Sequence, residues 1–317
     1  MKAVLLDKST IGNDVSLEAI KKQCKLTCFE TTIYKDISER IKDAEIIITN
    51  KVVIGKEEMD VAKNLKLICV AATGYNNVDI AEAKKRNIVV TNVKGYSTES
   101  VAQLVFGYIL SIMNSHNEVS EDIKNGLWQQ HPVFTILKHP FFELKGKNLG
   151  IIGYGTIGKR VAEIAIIFGM NILIAESLIS KKQSSNRITF TELLKKSDII
   201  SIHTPLTDKT KNIISEKELK LMKSSAILIN AARGGVVNEQ ALYEALVNNE
   251  IRYAATDVLT QEPPKDDNIL FKAPNIIITP HIAWTSFEAR QKLVSGISKN
   301  INLFLRGNVA EIDLCRY

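Results

Sequence analysis

The sequence predicts an α/β protein built from doubly wound parallel sheets. Three observations predict it. The first hundred residues alternate short apolar runs with helical stretches. A second alternating block starts at Lys147. At the head of that block, a glycine turn sits between a strand pattern and a helix pattern.

In the first block, Lys2–Asp7, Glu45–Thr49, Leu65–Ala71 and Ile88–Thr91 read as strands. Ser16–Gln23, Ser38–Asp43, Met59–Asn64 and Asp79–Arg86 read as the helices between them, and Cys24 and Cys28 sit four apart in a helix-like segment. One long helical pattern runs from Ser97 to about Asn125, with Val101, Leu104, Val105, Tyr108, Ile109 and Ile112 spaced at three and four. Gly126 to Leu144, with His131-Pro132 and His139-Pro140, reads as loop and as a seam between domains. The second block gives strands at Leu149–Ile152, Ile172–Ala175, Ile199–His203, Ala226–Asn230, Tyr253–Asp257 and Asn275–Thr279. A long amphipathic helix, Ser286 to Leu305, would return the chain toward the first domain.

With 317 residues, there is length for two domains, each with its own core. Hydrophobic content of 45% and charged content of 24% are ordinary for a globular chain. The net charge of +6 is scattered, with no run dense enough for nucleic acid or a membrane surface. The four cysteines, at 24, 28, 69 and 315, form neither a disulfide framework nor a zinc motif, which fits a cytoplasmic location. No His, Cys, Asp and Glu set has metal-ligand spacing, and no apolar stretch approaches the ~20 residues of a membrane helix.

Gly153-Tyr154-Gly155-Thr156-Ile157-Gly158 follows the strand Leu149–Ile152 and opens a helix. That context turns a weak glycine motif into a dinucleotide-binding signal. Gly153 allows the tight turn, Gly155 the approach of backbone to a pyrophosphate, and Gly158 the close packing of helix on strand. Glu176 lies 18 residues after Gly158, near the roughly 20 expected for a carboxylate that grips the ribose hydroxyls. An acid there repels a 2′-phosphate and favours NAD. Ser177, Lys181 and Lys182 follow closely and are compatible with a 2′-phosphate, which leaves NADP open.

Arg233, Glu262 and His281 each stand just past one of three successive strands of the second block. In an open parallel sheet that edge lines the ligand crevice. A guanidinium fork can hold a carboxylate in two hydrogen bonds. An imidazole can give a proton to a carbonyl oxygen, and a nearby carboxylate favours and orients its charged form. His203, before Thr204-Pro205, is a lesser candidate for the cofactor cleft. In the first block, Thr73, Gly74, Tyr75 and Asn76 join a strand to a helix, where freed backbone N–H groups could bind an anion.

These residues resemble the D-isomer-specific 2-hydroxyacid dehydrogenase family over nearly the whole chain. Leu144 to Met170 is similar to its dinucleotide signature, and Asp198 to Val237 and Asp257 to Trp284 to its other signatures. The resemblance implies two Rossmann-like domains, with a cofactor domain (98–285) inserted into a discontinuous substrate domain (1–97 and 286–317). It implies Arg233, Glu262 and His281 as the catalytic set. It implies cofactor contacts at Thr156, Ile157, Glu176, Thr204, Pro205, Ala231, Ala232, Arg233, Asp257, His281 and Ala283, and substrate contacts at Thr73 to Asn76 with Arg233 and His281. A homodimer built on the 97–125 region and the following loop is implied too.

Lys94 to Gln103, Asn171 to Glu176 and Pro280 to Trp284 resemble the glycerate dehydrogenase, or hydroxypyruvate reductase, branch. The expected reaction is NAD-dependent reduction of hydroxypyruvate or glyoxylate in an interdomain cleft. The alternatives are a sibling enzyme for D-lactate or a bulkier 2-oxo acid, and a NAD-sensing, corepressor-like binding protein. No extra C-terminal regulatory domain is expected, unlike the longer phosphoglycerate dehydrogenases.

Overall fold

The computed structural model describes residues 1–179, 186–308 and 315. Lys181 and Lys182, named above for a 2′-phosphate, lie outside the described residues. The chain divides into two compact units, 1–97 with 284–317, and 98–283.

In the first unit the elements run β1 (Lys2–Leu5), α1 (Glu18–Lys21), β2 (Lys25–Cys28), α2 (Tyr34–Ile41), β3 (Ile46–Thr49), α3 (Lys56–Val61), β4 (Leu67–Val70), α4 (Ile80–Lys85) and β5 (Val89–Thr91). All five strands are parallel, in the order β2-β1-β3-β4-β5. The segment around Cys24 and Cys28 is therefore a strand and not helical. Lys25-Leu26-Thr27-Cys28 is too short to show a period, and its half-exposed edge position removes the apolar run that marks the central strands.

The central strands are buried on both faces, and their side chains alternate between two cores. Ile46 and Ile48 of β3 pack on one side, Ile47 on the other. The first of these cores also takes Leu293, Ile297 and Ile301 from the last helix, so this unit is assembled from both ends of the chain.

The second unit opens with α5 (Thr98–Met113) and α6 (His116–Lys124). The single helix expected over 97–125 is thus two. Ser115 takes a left-handed conformation, φ 49°, and its hydroxyl donates to the carbonyl of Pro140 at 2.8 Å, which breaks the helix between Met113 and His116. Then come β6 (Asn148–Ile152), α7 (Thr156–Ile167), β7 (Asn171–Ile174), α8 (Phe190–Lys196), β8 (Ile199–Ile202), α9 (Glu216–Leu221), β9 (Ile227–Asn230), α10 (Glu239–Val247), β10 (Tyr253–Thr256) and β11 (Ile276–Ile278). The chain then crosses to α11 (Phe287–Leu305).

This sheet is also wholly parallel, ordered β11-β10-β9-β8-β6-β7. Chain order reverses at β6, between β7 and β8, which makes the carboxyl ends of β6 and β8 the switch-point crevice. The register puts Ile152, Ile202, Asn230, Thr256 and Ile278 in one row across five strands. Every loop that follows this row leaves from the same edge of the sheet.

His203 follows the β8 member of the row. Its Nε2 is 2.9 Å from the Ser201 hydroxyl, and Nδ1 is sealed from solvent with no partner among the described residues. Burial pushes the imidazole down to about 4. The folded form therefore disfavours the proton that the unfolded chain takes up near pH 6.5. His203 contributes stability above that pH, and the contribution is lost as pH falls toward 4. Its size is about 3 kcal/mol at most, since part of the residue stays accessible. Urea midpoints measured across this window should drop more steeply for the wild type than for His203→Gln, and parallel curves would refute the assignment.

Candidate active site

The glycine turn leaves β6 at Ile152. Gly153 has φ 95°, and a Cβ there would stand 2.6 Å from the carbonyl carbon and oxygen of His203, so only glycine fits between the two strand ends. A Cβ on Gly158 would come within 2.3 Å of the Gly153 oxygen, which holds the first turn of α7 against the loop. At Gly155 a Cβ would meet nothing within 4 Å among the described residues, which leave the backbone there open.

Gly155 is the residue before α7, and the first-turn N–H groups of Thr156, Ile157 and Gly158 precede the helix's own acceptors. An open backbone cradle at the positive end of a twelve-residue helix fits a pyrophosphate. Glu176 lies just beyond β7, one strand over, and its Oε1 accepts the N–H of Phe190 at 3.0 Å. This bond orients the carboxylate at the crevice edge, a position that suits the ribose hydroxyls.

Beyond β9, Asn230 clamps the next turn. Its amide donates to the Arg233 carbonyl at 3.0 Å and its oxygen accepts the Ala232 N–H at 3.1 Å. The exposed guanidinium of Arg233 donates to the Ala232 carbonyl at 2.7 Å through one nitrogen. An arginine has five N–H donors, so a bidentate face remains for a carboxylate. Thr204 and Ala231, at the ends of β8 and β9, are buried beside the same row, with Pro205 and Ala232 more open.

Beyond β10 and β11 the remaining two candidates meet. His281 Nδ1 lies 2.5 Å from Glu262 Oε2, and Glu262 Oε1 accepts the Leu259 N–H at 3.0 Å. With Nδ1 committed to the carboxylate, Nε2 is the ring nitrogen available to a substrate. His281 is left-handed, φ 56°, a conformation that costs a residue with a Cβ and needs support. Asp257, 1% exposed, supplies it. Its carbonyl accepts the His281 N–H at 2.8 Å, and its two carboxylate oxygens accept the N–H groups of Ile282 and Ala283, each at 2.8 Å. Burial raises the Asp257 carboxyl above its usual range, against the pull of hydrogen bonds from Thr279, Ala283 and Ile282.

In the first unit, Thr73 to Asn76 follows β4 on that sheet's own carboxyl edge. Asn92 donates to the Thr73 carbonyl at 2.6 Å, and the Thr73 hydroxyl donates to Val93 at 3.0 Å, which fixes the start of the turn.

The structure therefore sets Arg233, Glu262 and His281 in the loops that follow three neighbouring strands, β9, β10 and β11, whose ends span about 10 Å at the usual strand spacing. It joins Glu262 and His281 directly. Sequence reasoning missed Asn230 as the residue that shapes the Arg233 turn. The signal was an amide ending an otherwise apolar strand, Ile227-Leu228-Ile229-Asn230.

The model for the D-isomer specific 2-hydroxyacid dehydrogenase NAD binding domain matches residues 106–283. Glycerate dehydrogenase of Methylorubrum extorquens is 38% identical over 316 residues, 98% of this chain and 99% of its own. Hydroxypyruvate reductase of Blautia hydrogenotrophica is 34% identical over 319 residues, 98% of this chain and 99% of its own. The crystal structure of D-lactate dehydrogenase from Aquifex aeolicus, complexed with NAD and lactic acid, has a TM-score of 0.83 at 29% identity and covers 98% of this chain and 97% of that one. The family's dinucleotide module thus falls on the six-stranded sheet and its glycine turn, and the chain belongs to the D-isomer-specific 2-hydroxyacid dehydrogenase family, as an NAD-binding oxidoreductase acting on the CH–OH group of 2-hydroxy acids.

Proposed function

We propose that the protein reduces a small 2-oxo acid, hydroxypyruvate or glyoxylate, to the D-2-hydroxy acid, as its relatives' names indicate for them. The Glu262–His281 pair, on the same sheet edge that the Arg233 turn leaves from, carries this reading. The glycine turn Gly153–Gly158 would hold NADH, with Glu176 at its ribose, and the bound cofactor would supply a hydride. Arg233 holds the substrate carboxylate through its unused fork and draws electron density from the adjacent carbonyl. His281 gives its Nε2 proton to the carbonyl oxygen as C2 accepts the hydride, and Glu262 holds the ring for that transfer. The products are the 2-hydroxy acid and NAD⁺, so one proton and one hydride are taken up per turnover. Thr73 to Asn76 is assigned to the substrate as well, its backbone N–H groups suiting a carboxylate.

A homodimer belongs to the same proposal. Trp128, Val133, Phe134, Leu137 and Phe141 are all exposed, Phe134 by 88% and Leu137 by 89%. Five large apolar side chains within fourteen residues form a patch that a second copy can bury. A cytoplasmic location completes the proposal, in keeping with four free thiols.

Oxidation of NADH should follow addition of hydroxypyruvate or glyoxylate, faster than with pyruvate or phenylpyruvate; no oxidation with any of the four would sink the reaction. His281→Ala should lower kcat by roughly a hundredfold or more, and full activity in that variant would overturn its role. Glu176→Ala should shift preference from NADH toward NADPH, read as the ratio of the two kcat/KM values; an unchanged ratio would remove Glu176 from the ribose. Sedimentation should find a dimer for the wild type and a monomer for Phe134→Asp/Leu137→Asp, and a dimeric variant would move the interface elsewhere.

A further inference from the structure

Two hydroxyls on α5 reach the loop that bears His281. Ser100 donates to the Ala283 carbonyl at 2.6 Å. The Tyr108 hydroxyl bonds the Thr279 hydroxyl, and Thr279 donates to Asp257 Oδ1 at 2.5 Å. The direction of this chain is fixed by its end. The carboxylate accepts from Thr279, so the Thr279 oxygen accepts from Tyr108. The same Oδ1 also takes the Ile282 N–H, and Oδ2 the Ala283 N–H. Asp257 is thus the hub between a buried relay and the two amides that follow the left-handed His281.

We propose that Tyr108 and Thr279 are positioning residues for the His281 imidazole, acting through Asp257. The proposal rests on the reaction assigned above. Tyr108 lies 3% exposed among apolar neighbours, where a hydroxyl without a partner would be costly. Its donation to Thr279 satisfies it and orients the threonine. The oriented threonine holds the Asp257 carboxylate in its ionised, acceptor-only form, and that form fixes the turn through residues 282 and 283. Without the relay the carboxylate could rotate or take a proton, and the strained turn at His281 would lose its tether. The titratable groups that bear on Asp257 are His281 and, from α5, Tyr108.

The test uses Thr279→Val, Thr279→Ser and Tyr108→Phe in the full chain. Thr279→Val should lower kcat about tenfold and Tyr108→Phe about threefold, with KM for NADH and for the 2-oxo acid within about twofold of wild type. Thr279→Ser should restore the rate. The acid limb of the kcat profile should move to higher pH in Thr279→Val, because a carboxylate that loses a donor holds its proton more tightly.

Hydrogen exchange gives a readout free of turnover. The amides of Ile282 and Ala283 should exchange about tenfold faster in Thr279→Val, while those of β8 keep the wild-type rate. Unchanged kcat, unchanged exchange, or a loss that tracks thermal stability and is not rescued by serine would overturn the proposal. A wild type inactive on every 2-oxo acid would sink the reaction instead, and the exchange rates would still show whether the relay fixes the turn.

Discussion

Parallel hydrogen bonding in register is the constraint on which the second unit depends. Ile152, Ile202, Asn230, Thr256 and Ile278 share one row, and the candidate residues Gly153, Thr204, Arg233, Glu262 and His281 each follow it within six positions. A parallel sheet sends each chain back by a crossover, so all carboxyl ends stay on one side. Residues 153, 204, 233, 262 and 281 are spread over more than a hundred positions, yet each exits at that edge. A slip of one residue in any strand would send its side chains to the opposite face and displace its loop.

Local devices then refine what the register delivers. At the glycine turn, shape decides, since a methyl group at 153 would overlap the end of β8. At Arg233 a side-chain amide substitutes for a backbone turn bond. At His281 the backbone is held against its preference by a buried acid. The last two devices place polar groups inside the protein, where leaving them unpaired costs on the order of 1–3 kcal/mol apiece, and Asn230 and Asp257 are satisfied by backbone groups of the turns they shape.

Much of this was legible in the sequence. The apolar runs Ile46-Ile47-Ile48 and Ile227-Leu228-Ile229 announce central strands, and the glycine turn between strand and helix announces the dinucleotide loop. Arg233, Glu262 and His281 stand out because each follows such a run. β2 stayed hidden because an edge strand of four half-exposed residues has no contrast to read. The break at Ser115 stayed hidden because the apolar spacing of α5 continues up to it, and the bond that stabilises it reaches Pro140, twenty-five residues on. Tyr108 reads as one more member of an apolar stripe, and its ring is indeed in the core; only three dimensions show where its oxygen goes.

The helix 287–305 has a consequence for how this chain comes into being. Translation delivers residues 1–97 long before Leu293, Ile297 and Ile301, which belong to the core on one side of their sheet. Until those later residues emerge, Leu5, Ile48 and Leu67 lack that cover. The middle unit, 98–283, is contiguous and holds all its own strands, so it can finish first. The amino-terminal sheet must wait for its lid, and the nascent protein is most exposed to aggregation, and to chaperones, during that interval.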